Sequence, residues 1–156
     1  MRAIGLDLGS VRIGVAVSDS EGLLALPSTT LVRGRSWSHD HSRIAELVAE
    51  NEAEVVVVGL PLSMDGSIGP AARRTRKELA RLSQSLAVPV ETYDERLSTV
   101  VANRSLQAAG LDASRSREHV DEVAAAVILQ AWLDHRRAHT DRSPTSQPPA
   151  TSEDRS

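Results

Sequence analysis

Asp7, Glu95 and Asp121 are the acids on which metal-dependent chemistry would rest, and each stands where an inferred element begins or ends. Asp7 lies between Leu6 and Leu8 near the carboxyl end of a short apolar strand, where open α/β sheets present ligands. A carboxylate among apolar neighbours loses hydration at a cost of several kcal/mol unless a cation or several donors compensate, so a metal-ligand role stands ahead of a turn aspartate. Glu95 falls in Asp94-Glu95-Arg96-Leu97-Ser98-Thr99, at a strand-to-helix turn, and either faces a cation or pairs with Arg96. Asp121 precedes Ala124-Ala125-Ala126, whose small side chains let a helix lie close on a sheet, although an acid near a helix amino terminus is also favoured by the helix dipole. Together the three suit phosphodiester hydrolysis with two divalent ions about 4 Å apart, one activating water and the other stabilising the leaving oxygen. The chain has no cysteine, so any metal ligands are oxygens or imidazoles, which favours hard cations, Mg²⁺ or Mn²⁺.

Substrate contacts have weaker signals. Gly59, Leu60, Pro61, Asp65 and Gly66 belong to a loop leaving a valine-rich strand, where backbone N–H groups can meet a phosphate. Arg12, Arg73, Lys77 and Arg96 are the basic side chains expected to reach the backbone of a nucleic acid, with Arg73 and Lys77 on the outer face of a basic helix that Glu78 interrupts. The histidines at 39, 41, 119, 135 and 139 lack a metal-ligand spacing against a carboxylate and fall mostly in segments expected to be exposed; His119 is of interest only as a neighbour of Asp121. Ser10, Ser63 and Ser98 have no histidine partner or nucleophile-elbow sequence, which argues against serine hydrolase chemistry.

The elements that must position these residues follow from hydrophobic period. Arg2–Leu8 and Arg12–Ser18 alternate large apolar with small or polar residues and predict two strands joined as a hairpin, with a third strand over Thr29–Val32. Ile44, Leu47 and Val48 predict a helix over His41–Glu50, and Val55–Val58 a buried parallel strand. Ala72, Thr75, Leu79, Leu82 and Leu86 recur at helical spacing between Gly69 and Ala87. A last strand over Val90–Tyr93, a helix over Leu97–Ala109 stopped by Gly110, and a helix over Val120–Arg137 complete the order β-β-β-α-β-α-β-α-α.

A chain of 156 residues with 40% hydrophobic content forms one domain, here residues 1–139, followed by a polar tail over 140–156 with no periodicity. With no Phe, one Tyr and two Trp, the core is aliphatic, and single-strand binding by stacking bases on aromatic platforms is poorly supported. The net charge of −3 leaves the distribution of basic residues, all arginine except Lys77, to decide nucleic-acid affinity. No apolar run approaches the roughly 20 residues of a membrane span, and the chain reads as cytoplasmic.

Four ordered stretches, G-L-D-L-G-S-V-R-I-G-V-A-V-S-D, V-V-V-V-G-L-P-L-S-M-D-G-S-I-G-P, D-E-R-L-S-T and V-D-E-V-A-A-A-V-I-L-Q, resemble the YqgF (RuvX) family of pre-16S ribosomal RNA nucleases, relatives of the RuvC Holliday-junction resolvases. The resemblance runs from Met1 to about His135. It implies an α/β ribonuclease-H-like fold, a mixed five-stranded sheet of three antiparallel then parallel strands flanked by helices, and it maps the family's acidic triad onto Asp7, Glu95 and Asp121. It also implies an endonuclease acting on structured nucleic acid, a ribosomal RNA precursor or branched DNA, with a weak homodimer allowed by an exposed helix face. A resolvase proper is expected to carry an acid three residues after the helix aspartate; Ala124 stands there, which favours the ribosomal RNA branch. Glu118 and His119 occupy a position where a basic residue is expected, leaving Arg115 and Arg117 to take its part. Two rivals follow: a non-catalytic nucleic-acid-binding ribosome-assembly module, and the actin and sugar-kinase ATPases, whose first phosphate motif D-L-G-S-V-R-I-G also resembles. The latter need two such domains around the nucleotide.

Overall fold

The structure, a computed structural model, describes residues 1–101 and 113–141. Strands β1 (Ala3–Leu8), β2 (Arg12–Ser18), β3 (Ala25–Val32), β4 (Val55–Leu60) and β5 (Val90–Asp94) form one sheet in the order β3-β2-β1-β4-β5. β2 runs antiparallel to both β1 and β3, while β1, β4 and β5 are parallel. Helices α1 (Trp37–Glu50), α2 (Pro70–Ser85) and α3 (Ala113–Asp141) flank it. The mixed sheet expected from the sequence is therefore present, and the carboxyl ends of its parallel strands share one edge.

Alternation along the strands sorts the two faces. Ile4, Leu6, Ile13, Val15, Val56 and Val58 pack with Ile44 and Val48 of α1 and Leu79 and Leu82 of α2. Ala3, Ala16, Val55 and Val57 point the other way, against Ala125, Ile128, Leu129 and Leu133 of α3. The α3 face is the shallow one. A Cβ at Gly5 would lie 2.7 Å from Leu129 Cβ and 2.9 Å from Ala125 O, so glycine is what lets this helix lie down on β1. A charged residue on this face, Asp7, thus sits under a helix rather than in solvent.

Several expected boundaries move. β3 begins at Ala25 instead of Thr29: Ala25 N donates to Gln130 Oε1 on α3 at 2.8 Å, and a register shift between Val15 and Ala16 masks the alternation that sequence reading relies on. α1 begins at Trp37 instead of His41, because Ser36 caps it by accepting from His39 N at 3.2 Å. His41 is consequently buried, not exposed, at 2%. Glu78 likewise does not interrupt the outer face of α2; it turns inward and is buried. α3 begins at Ala113, ahead of the expected Val120, and runs on to Asp141, past the expected Arg137. Most of the helix expected over Leu97–Ala109, its stop at Gly110, the side chains of Arg115, Arg117, Glu118 and His119, and residues 142–156 lie outside the described residues.

Candidate active site

Asp7, Glu95 and Asp121 line a single cavity of about 440 Å³ at the carboxyl ends of the parallel strands. Two glycines explain how they meet. Asp7 pairs with Gly14 on β2, and one residue beyond the Leu6–Val58 pair it stands beside Gly59 on β4. A Cβ at Gly14 would lie 1.9 Å from Asp121 O, and one at Gly59 would lie 2.9 Å from Glu95 Oε1. The positions flanking Asp7 in the sheet are thus left empty of side chains. One is filled by the backbone of Asp121, the other by Ile128 Cδ1, 2.5 Å from where a Cβ would stand, together with the carboxylate of Glu95. Asp7 is 8% exposed and Glu95 4%.

A short 3₁₀ turn, Glu95–Leu97, aims Glu95 inward. Asp94 caps it, accepting from Arg96 N at 3.0 Å, and binds the Arg96 guanidinium at 2.7 to 3.1 Å. Of the two readings left open by the sequence, Arg96 pairs with Asp94 and leaves Glu95 to the cavity. The hydrogen bond from the Arg96 side chain is the main cause holding the Asp94 carboxyl below its ordinary value. Ser98 closes the turn by donating from N and Oγ to Glu95 O, at 3.1 and 2.8 Å.

The expected substrate contacts divide. Gly59 and Pro61 line the cavity. Arg12 is not part of the lining; it stands at the start of β2 with its Nε buried and without a hydrogen-bond partner among the described residues. Asp65, Gly66, Arg96, Arg73 and Lys77 are not brought into the cavity. Asp65 instead shapes its loop, accepting from Ser67 Oγ at 2.6 Å and Ser67 N at 2.9 Å, bonds that lower its pKa. Gly66 has φ +87 and abuts the Arg96 guanidinium. Arg73 and Lys77 face solvent on α2, while Arg74 faces the cavity. Sequence reading missed Arg33, Trp37, Arg74, Thr75 and Glu78 as wall residues. One signal was available: Ala71, Arg74, Thr75 and Glu78 follow at spacings of three and four, a stripe on one helical face.

The far wall is charged but internally paired. Arg33 Nη1 and Nη2 each lie 2.7 Å from Glu78, Nη1 lies 3.4 Å from Asp40, and His41 Nε2 faces Glu78 Oε2 at 2.8 Å. Burial works against the Arg33 charge, but the hydrogen bonds and charges of Glu78 and Asp40 outweigh it and raise its pKa above the ordinary arginine value.

The donor set suits a hard divalent cation, since the acids offer only oxygens and two of them are buried. Among the described residues no three His, Cys, Asp or Glu side chains already converge as a cage.

Against known proteins, the family model described as "RuvX: Holliday junction resolvase" matches residues 1–135. A Myxococcus xanthus protein named "Putative pre-16S rRNA nuclease" is 53% identical over 145 residues, covering 92% of this chain and 95% of its own. Proteins of the same name from Anaeromyxobacter sp. and Mycobacterium sp. are 52% identical over 136 residues and 50% over 138, covering 87% and 88% of this chain and 98% and 82% of theirs. Among solved structures, Thermus thermophilus RuvC in complex with a Holliday junction substrate superposes with a TM-score of 0.54 at 18% identity, over 88% of this chain and 96% of that one, a likeness of fold. With a family model spanning its sheet and most of α3, and relatives half identical over nearly their whole length, the chain belongs to the RuvX family.

Proposed function

We propose that this chain is a metal-dependent endonuclease that hydrolyses phosphodiester bonds in structured nucleic acid, acting in 5′-end maturation of pre-16S ribosomal RNA. The observation that carries the reading is the convergence of Asp7, Glu95 and Asp121, from three separate elements, on one cavity. Asp7, Glu95 and Asp121 hold Mg²⁺ or Mn²⁺, two ions in the full form of the mechanism. The bound cations supply Lewis acidity at the phosphoryl oxygens and balance the carboxylate charge. The protein's own contribution is positioning. Gly59 and Pro61 admit the scissile segment closely, and Arg74 meets a phosphate from the α2 side. Arg12, half-buried at the start of β2 and outside the cavity lining, enters this reading through its charge alone. The names of the half-identical relatives support the ribosomal RNA substrate over branched DNA. So does Ala124, which is buried against the sheet where a resolvase is expected to carry a further acid. No helix among the described residues is long and apolar enough to cross a membrane, consistent with work in the cytoplasm. A weak homodimer belongs to the same reading and is measured by sedimentation.

The test is cleavage of three labelled substrates, a ribosomal RNA precursor fragment, single-stranded RNA and a four-way DNA junction, by wild type and Asp7→Asn with and without Mn²⁺. Metal-dependent cutting of the precursor, lost in Asp7→Asn with the fold intact, is expected. Preferential cutting of the junction would make the chain a resolvase. Binding of structured RNA without cutting would make it an assembly module.

A further inference from the structure

We infer that Arg33 is a positioning residue for this chemistry, holding the turn that follows Asp7 against the two helices on the opposite wall. The inference rests on the reading of Asp7 as a metal-holding carboxylate.

Arg33 N donates to Val11 O at 2.9 Å and Arg33 Nε donates to Gly9 O at 2.8 Å, so one residue grips both ends of the turn between β1 and β2. Gly9 N donates back to Asp7 O at 3.1 Å, which couples the turn to the acid. Gly9 and Ser10 also line the cavity. The other corners of the guanidinium are fixed from across the cavity, by both oxygens of Glu78 on α2 and by Asp40 on α1. Asp40 in turn accepts from Gly34 N at 2.8 Å and Glu78 from or to His41 at 2.8 Å, so neither carboxylate is free to turn away.

This network exceeds what holding the helices requires. Ile44, Val48, Leu79 and Leu82 already anchor α1 and α2 in the core, and a buried ion pair is commonly replaceable by apolar residues without loss of stability. An apolar pair cannot supply an N–H aimed at the Gly9 carbonyl. Lysine can donate to one of these partners, but its compact ammonium lacks the planar fork that serves Gly9 and both Glu78 oxygens together.

The experiment compares Arg33→Lys, Arg33→Met and Arg33→Met/Glu78→Leu with wild type for melting temperature, kcat, KM and amide exchange over residues 9–12. Arg33→Met strands Glu78 and lowers the melting temperature; the double variant recovers most of that loss. kcat stays about 10- to 100-fold down in both, as displacement of a reacting group by about 1 Å predicts, with KM nearly unchanged and faster exchange in the turn. Arg33→Lys keeps the charge yet loses kcat. Recovery of kcat together with melting temperature in the double variant, or wild-type kcat in Arg33→Lys, would show a purely structural residue. A raised KM at unchanged kcat would make Arg33 a substrate contact and also overturn the inference. Asp7→Asn run alongside separates the cases: if it cuts normally, the reading of the acids has failed and not only that of Arg33.

Discussion

Gly14→Ala probes whether the close approach of α3 is what sets Asp121 beside Asp7. An added Cβ would stand 1.9 Å from Asp121 O and 2.3 Å from Asp121 C. Real Cβ contacts essentially never fall below 3.0 Å, so going from 1.9 to 3.0 Å the helix backbone must retreat by about 1.1 Å. The obstruction is main chain, and no side-chain rotation relieves it. Overpacking of this kind costs about 1–3 kcal/mol, or roughly 2–12 °C in melting temperature for a domain of this size. A shift of about 1 Å in a catalytic group costs up to about 100-fold in rate.

Calorimetry and single-turnover cleavage, both below the variant's melting transition, separate the two effects. Gly5→Ala is the control, since it meets the same helix at 2.7 Å from Leu129 Cβ and 2.9 Å from Ala125 O and needs only a few tenths of an ångström of adjustment. It should lose some stability and little rate. A folded Gly14→Ala protein with wild-type kcat would overturn this account, because Asp121 would then tolerate displacement from the cavity it lines.

Further predictions concern the same cavity. Gly59→Ala places a Cβ 2.5 Å from Ile128 Cδ1 and 2.9 Å from Glu95 Oε1; both are ends of side chains, so kcat falls less than in Gly14→Ala, and an equal or larger loss would count against this ranking. The Asp94 carboxyl is held below the ordinary aspartate value chiefly by the Arg96 hydrogen bond, so its stabilisation is full above that ordinary value and is lost as pH falls through the lower folded value. Melting curves of wild type and Asp94→Asn should therefore differ at neutral pH and converge in acid; a constant gap would contradict the assignment. Mg²⁺ or Mn²⁺ should raise the melting temperature of wild type, by about 2.7 kcal/mol of linkage at 100 times Kd, and not that of Asp7→Asn. Equal shifts in both proteins would remove Asp7 from the metal site.

Much of this was legible in the sequence because it is periodic. Alternation in Arg2–Leu8 and Arg12–Ser18, the run Val55–Val58 and the α2 stripe each correspond to elements in the structure. Asp7, Glu95 and Asp121 stood out because each was an acid at the edge of such an element. What escaped were features without a period. Ser36 moved the start of α1 through one capping bond, and with it brought Trp37 into the cavity wall and His41 into the interior. Arg33 follows the end of β3 with no pattern around it, and its partners Asp40 and Glu78 lie 7 and 45 residues away, so only folding shows the cluster. Glu78 reads as one more charge on a charged helix until Arg33 and His41 are seen beneath it.

The glycines were the more informative half of the site. Across β2, β1 and β4 the row at Asp7 reads Gly14, Asp7, Gly59, a single side chain between two vacancies on a face otherwise filled by α3. A sheet position under a helix ordinarily carries an apolar residue that contributes to burial, and glycine there costs stability through its greater backbone freedom when unfolded. At Gly59 the omission serves packing too, since Ile128 Cδ1 lies 2.5 Å from where a Cβ would stand. Both glycines also leave room beside Asp7: a Cβ would stand 1.9 Å from the main-chain oxygen of Asp121 at Gly14 and 2.9 Å from Glu95 Oε1 at Gly59. The shape of this cavity is therefore set by what the strands omit as much as by the carboxylates they carry. Transferring the three acids to a sheet with alanine or valine in those two places would reproduce the residues without reproducing the cavity.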